Sequence, residues 1–406
     1  MLSTLLDKWF KDTPGNDAFA ERFIATARRS GVTQPMTYDA ARFRVQVGES
    51  SYFNLHNAHH AYLSAGRGAQ QQALDIFVRG LQAMNDGNDS AENWEQVRPL
   101  LRPIIRNLAQ LEHIRLSTIE TMGWDAPETL QYRRLTDECV ELLAIDHAEH
   151  MVTQQDGPPP EWGISLAGAL DEARRNLRAI DPVDFAPIAP GLYRAAWADC
   201  YDSSRALLPE LVNRVPVAGR PVFLLATRDV MLVAGENDTD AQELMFDMAQ
   251  EEIQAGRTIS WELLSHDDDG RITAREPATA ALRLKQDQLR RSFRQDAYQQ
   301  QKELLQRVHE AHGVDVFVAT FLVYRNDTET FSIASWAQGV ETSLPLTDYL
   351  SFVVADDDSR VVRAPWATAM PIVGHLLEAD PRHLHPPRFL TRGFPTGEQL
   401  AQLEGR

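Results

Sequence analysis

"RPVFLLATRDVMLVAGENDTDAQELMFDMAQEEIQAG", Arg220 to Gly256, is the stretch on which the fold turns. Two apolar runs, Val222–Ala226 and Val230–Ala234, flank the polar Thr227, Arg228 and Asp229, and read as two paired strands. A helix follows. Asp238, Thr239 and Asp240 offer N-caps, Gln242 and Glu243 can close a capping box, and Gly256 stands at the stop. Leu244, Met245, Met248 and Ala249 form the apolar stripe of that helix.

Upstream, "GLYRAAWADCYD" (Gly191–Asp202) reads as a strand running into a turn, and "LLPELVNRV" (Leu207–Val215) as a helix that tolerates Pro209 near its start. Downstream, "TISWELLS" and "RITARE" flank "HDDDG" (His266–Gly270), whose Asp-Gly ending signals a hairpin. The order from Gly191 to Glu276 is β-α-β-β-α-β-β, which places the chain in the α+β class.

The flanks extend this pattern. "RFRVQV" (Arg42–Val47) alternates like a half-buried strand, and "YFNLHNAHHAYL" (Tyr52–Leu63) continues the extended reading through Phe53 and Leu55. "AQQQALDIFVRGLQAM" (Ala69–Met84) spaces Leu74, Phe77, Val78 and Leu81 as a helix does. In "VRPLLRPIIRNLAQLEHIRL" (Val97–Leu116), Pro99 and Pro103 argue against an unbroken helix. A polar helix over Leu284–His309 precedes strands in "VDVFVATFLVYR", "TFSIASWAQGV" and "LSFVVA", after which "DDDS" leads to "RVVRAP". "ETSLPLTDY" reads as a link, "WATAMPIVGHLLEA" as an amphipathic helix, "PRHLHPPRFLTRGFP" as an extended tail, and Glu398–Leu403 as a last short helix. The expected division is an α+β region over 1–284, in halves of about 1–155 and 156–284, followed by a small α+β module over 285–406.

Composition narrows the classes. The chain has 406 residues, 43% apolar and 24% charged, as a soluble globular protein does. Its 58 acidic against 40 basic residues leave a net charge of −18, which repels phosphate backbones and anionic membranes. No nucleic-acid or membrane partner is expected, and a basic protein partner suits the surface better. "MLSTLLDKWFKDTPG" lacks the basic and apolar regions of a signal peptide, and no run is apolar enough to span a bilayer. Cys139 and Cys200 form no CxxC. The expected setting is the reducing cytoplasm.

Three residue groups could carry chemistry. His56 and His60, with His147 and His150 of "IDHAEH" and a carboxylate such as Asp146 or Glu149, could ligate a metal in a hydrolase. On a strand, however, residues i and i+4 stand about 13 Å apart, and no HExxH, CxxC or Asp-rich metal loop occurs. Structural or surface histidines fit the spacing better. Asp267–Asp269 and Asp356–Asp358 lack the spacing of a calcium loop and read as solvated hairpin tips. Cys200 lies beside Asp199 and Asp202, which blunt a thiolate, and reads as a buried structural cysteine. The third group, "WADCYDSSR", brings Trp197, Asp199, Tyr201, Asp202 and Arg205 to a strand–helix junction. Such a group can bind an anion or small ligand, or can cap the helix with Arg205 paired to a carboxylate. No GxSxG, P-loop or strand-linked GxGxxG is present, and no cofactor is implied.

The central region resembles the uncharacterised bacterial family typified by YtpQ. Tyr201, Asp202, Ser204 and Arg205 match its Tyr-Asp-x-[Ser/Thr]-Arg helix start, and Asp229 and Val230 match its second strand entry. The opening half fits in order through "YDAARFRVQV", "FNLHNAHHAYL" and "LRPIIR", so the resemblance covers about residues 20–277. It implies a fold, and the family carries no assigned activity. The expectation is therefore a non-catalytic binding or accessory protein. A metal-dependent hydrolase and a ligand-binding junction are the alternatives.

Overall fold

The architecture was read from a computed structural model that describes residues 12–40, 43–47, 51–66, 68–85, 93–147, 151–180, 184–197, 199–253, 256–325, 329–355, 360–382 and 384–404. The chain divides into two compact units, one of residues 1–100 with 145–152, the other of 101–144 with 153–406. This is not the division at 284/285 that the sequence suggested. The long helix that opens the expected C-terminal module shares the core of the central sheet through Leu282, Leu289 and Phe293.

In the smaller unit, α1 (Asn16–Arg29) packs beside an antiparallel meander of β1 (Met36–Asp39), β2 (Arg44–Val47) and β3 (Ser51–Asn54). Then come α2 (His56–Ser64), α3 (Gln70–Asn85) and the single turn α4 (Trp94–Val97). The extended reading of "LHNAHH" is corrected here, because the strand stops at Asn54 and a helix takes over. Leu55, Ala58 and Tyr62 fall at helical spacing and are buried against Phe19, and that burial outweighs the strand signal of Phe53.

The larger unit opens with β4 (Leu101–Asn107), which accommodates Pro103, and continues into α5 (Leu108–Met122). The Asn107 side chain caps that helix by accepting from the Ala109 amide at 2.7 Å. β5 (Arg133–Arg134) and β6 (Cys139–Asp146) join β4 in one sheet, and β7 (Met151–Gln154) and α6 (Leu166–Arg178) follow; the last two residues of β6 and the first two of β7 count with the smaller unit.

Next come β8 (Phe185–Ala189), β9 (Leu192–Ala195), the short α7 (Pro209–Val212), β10 (Pro221–Thr227), β11 (Val230–Gly235), α8 (Thr239–Glu252), β12 (Leu264–His266) and β13 (Ile272–Ala274). These strands form an antiparallel six-stranded sheet in the order β13-β12-β10-β11-β9-β8. The β10–β11 pair runs from Pro221↔Gly235 to Thr227↔Val230, as the opening stretch implied. Asp238 caps α8 on the Ala241 amide at 3.0 Å. "TISWELLS" is shorter as a strand than expected, with only Leu264–Ser265 of it in β12.

The 33-residue α9 (Ala280–His312) runs along α5 and α8. "VDVFVATFLVYR" does not form one strand. It breaks into β14 (Phe317–Val318) and β15 (Leu322–Arg325), which belong to different sheets. The expected link contains β17 (Thr342–Pro345), between β16 (Thr330–Ala337) and β18 (Tyr349–Val353), and β19 (Val361–Pro365) completes that run. α10 (Trp366–Val373) is shorter than the helix expected over 366–379, whose last residues form β20 (Leu377–Ala379); the tail contributes β21 (Arg388–Thr391), and α11 (Gly397–Glu404) follows. The two sheets are β15-β16-β18-β19 and β14-β17-β21-β20. The chain is α+β, and no described helix is long and apolar enough to cross a membrane.

Candidate functional site

The histidines of "LHNAHH" occupy a helix, with His56 at its first residue and the exposed His60 one turn on. His59 points elsewhere, bonding the Pro14 carbonyl at 2.8 Å. His147 follows the end of β6, while His150, Glu149 and the side chain of His56 lie outside the described residues. Among the described residues no group of three or more His, Cys, Asp or Glu side chains is placed to hold a metal ion. Asp356–Asp358 also lie outside the described residues, and Asp267–Asp269 occupy the β12–β13 turn.

The Trp197–Arg205 group does come together, as a closed corner. Arg205, with its side chain 1% exposed, grips Asp199 through both terminal nitrogens at 2.8 and 2.6 Å and lies 4.4 Å over the Trp197 ring. Asp199 Oδ1 also accepts from the Tyr201 amide at 3.0 Å. Burial would push the Asp199 carboxyl up, but Arg205 and that amide hold it below the usual range. Asp202 accepts from the Trp197 amide at 3.1 Å and makes no side-chain cap on the turn that follows. A ligand here would have to displace Asp199 from Arg205. Cys200 corrects the sequence reading, because it is exposed, at φ +68°, and Cys139 is the buried cysteine.

A cavity of about 510 Å³ opens in the larger unit, a volume suited to a small organic ligand. Its walls come from α5, the 128–138 segment, α9 and the tail. Leu108, Leu111, Leu130, Leu384, Tyr132 and Phe389 supply apolar surface. The charged groups around it are mostly paired. Arg115 bonds Glu112 at 2.8 Å, Arg382 behind the wall bonds Asp380 at 2.7 Å, and Arg134 lies 3.8 Å from Asp137. Glu138, nearly buried, faces His385 at 3.4 Å and Arg294 at 3.8 Å. Burial alone would raise the Glu138 carboxyl, but His385 and then Arg294 hold it below its ordinary value. Glu112 goes the other way, as burial outweighs Arg115 and lifts it.

Arg388 is the exception. It is the first residue of β21, 1% exposed, with its guanidinium 5.3 Å from the Tyr298 ring. Nε donates to Gln301 Oε1 at 2.6 Å, and Nη1 to the carbonyls of Ser343 and Ala319 at 2.9 and 3.1 Å. Nη2 is buried without a hydrogen-bond partner, and no described carboxylate comes within ion-pair distance. Burial pulls its pKa down to about 10, so it stays charged at neutral pH. Nothing local points to this site, since "PPRFL" reads as a tail and the other walls lie far away along the chain.

No protein-family model, no curated protein and no solved structure matches the chain.

Proposed function

We propose that the chain is a non-catalytic binding protein whose larger unit takes a small organic carboxylate in the 510 Å³ cavity. One observation carries this reading. Arg388 is a buried cation that lines the cavity with no described carboxylate within 4 Å, whereas the cavity's other arginines each have one. Leaving a buried charge without its counterion costs about 3–5 kcal/mol, and an anion in the cavity would offset part of that cost. A single uncompensated positive charge beside apolar walls favours a monoanion with an apolar body. The exposed carboxylates Glu128 and Asp137 on the same lining disfavour a polyanion.

The reading keeps the binding class expected from the sequence and makes a small acid, rather than a basic protein, the ligand. We also infer kinship of residues 20–277 with the YtpQ-like family, supported by the strand pair, capped helix and hairpin occurring in the family's order. A cytoplasmic setting belongs to the same proposal, supported by two cysteines that stand apart as free thiols.

Thermal unfolding in a panel of benzoate, phenylpyruvate, hexanoate and octanoate tests the ligand. At least one acid should raise the midpoint in a concentration-dependent way, and the Arg388→Gln variant should lose that response. An equal response in both proteins, or none in either, would overturn the proposal.

A further inference from the structure

The four-stranded sheet β15-β16-β18-β19 is apolar on both faces. Its inner face carries Trp336, Leu350, Phe352 and Val362 into a core shared with Ala369 of α10 and Leu400 of α11. Pairing fixes what stands on the other face, because residues opposite one another in a ladder point the same way. Leu322 of β15 pairs with Ile333 of β16, which pairs with Tyr349 of β18, and Val353 of β18 pairs with Val361 of β19. Tyr324 stands two residues after Leu322 and shares its face. A sheet with one face in water normally alternates apolar-in and polar-out. Here the outward positions are apolar as well, and Leu322, Tyr324 and Val361 are 54%, 51% and 53% exposed.

The rings on this face form one run. The Tyr324 and Phe331 centroids are 5.1 Å apart, and those of Phe331 and Tyr349 4.9 Å. Arg363 of β19 reaches across them, its guanidinium 5.3 Å from the Phe331 ring and 5.8 Å from that of Tyr349. Arg363 is exposed, and no described carboxylate forms an ion pair with it. Among the described residues of these four strands it is the one charged side chain that points outward. Glu329 and Asp356–Asp358 fall between the strands along the chain, not within them.

We propose that this face docks an amphipathic helix of a partner protein, whose apolar stripe carries one carboxylate for Arg363. Size argues for a single helix. Three strand spacings make the face about 14 Å wide, and five residues make it about 16 Å long. A helix is about 10–12 Å across and covers that length in about three turns. A second copy laid face to face would bury far less than the roughly 800 Å² per partner of a stable interface, and would bring two unpaired cations together. Charge argues for the carboxylate, and for one only, because a net charge of −18 repels a strongly acidic segment. The face shares no lining residue with the Arg388 cavity.

Selection from a random library of peptides of about 16 residues, roughly four helical turns, tests this docking. The target is the full chain, with counter-selection on a Leu322→Ser/Tyr324→Ser variant. The expected peptides repeat apolar residues at i, i+3 or i+4 and i+7, become helical on binding by circular dichroism, and carry one Asp or Glu in the stripe. Their affinity should fall about tenfold in Arg363→Gln, and exchanging the peptide carboxylate for its amide should then cost nothing further. These variants change exposed side chains and should keep the wild-type melting midpoint, and Arg388→Gln should bind the peptides as the wild type does. No binders, binders that alternate apolar residues as a strand does, or an affinity indifferent to Arg363 would overturn the proposal. So would a dimer in sedimentation that Tyr324→Ser dissociates, which would assign the face to a second copy.

Discussion

Glu262 holds a proton that its unfolded counterpart gives up, and replacing it should stabilise the protein at alkaline pH. The side chain is 4% exposed and accepts hydrogen bonds from the Thr136 and Ser260 hydroxyls. Burial is the largest influence and raises its carboxyl. The Thr136 hydroxyl opposes this, the neighbouring Glu138 adds to it, and the result is a pKa of about 7 against the ordinary 4.5 of a free glutamate. Folding therefore takes up a proton between those two values. Stability falls as pH rises through that window and stays low above it. At 1.36 kcal/mol per pH unit, the penalty at pH 8 is about 3 kcal/mol, and at pH 5 it is under about 1 kcal/mol.

Glu262→Gln removes the charge and keeps an oxygen to accept both hydroxyls. For a unit of about 300 residues the gain corresponds to a midpoint about 5 °C higher at pH 8. Scanning calorimetry of both proteins at pH 5 and pH 8 measures it. A variant no more stable than the wild type at pH 8, or one equally stabilised at both pH values, would refute the reasoning.

Other perturbations test other parts of the structure. Asp199→Ala strips the buried Arg205 of its bidentate partner and should destabilise by about 3–5 kcal/mol, read by chemical denaturation, whereas loss of an exposed pair such as Arg220–Asp268 should cost under about 1 kcal/mol. Gly235→Ala would place a methyl 2.3 Å from the Ala218 carbonyl oxygen, so the β11 terminus must shift, and a drop in the melting midpoint is expected. A thiol reagent should titrate one cysteine in the native protein, Cys200, and two in denaturant; two fast thiols in the native state would contradict the burial of Cys139.

The central sheet was legible because its signals are local. Val222–Ala226 and Val230–Ala234 are buried on both faces, and Asp238 caps the next helix within the same stretch. Where the reading failed, a distant contact decided. Leu55, Ala58 and Tyr62 became helical against Phe19, and Thr342–Pro345 became a strand by pairing with β21, whose residues lie more than forty positions on. The cavity was illegible for the same reason, since Glu112, Glu138, Arg294 and Arg388 meet from four segments with no common spacing.

The central claim, that Arg388 makes the cavity a site for an organic acid, is tested most directly by a crystal structure from crystals soaked in phenylpyruvate and octanoate. The account predicts ligand density in the cavity with its carboxylate on the Arg388 side and its apolar body against Leu108, Leu111 and Leu130. A cavity holding only water at saturating acid, or Arg388 paired with a carboxylate of the chain itself, would contradict it.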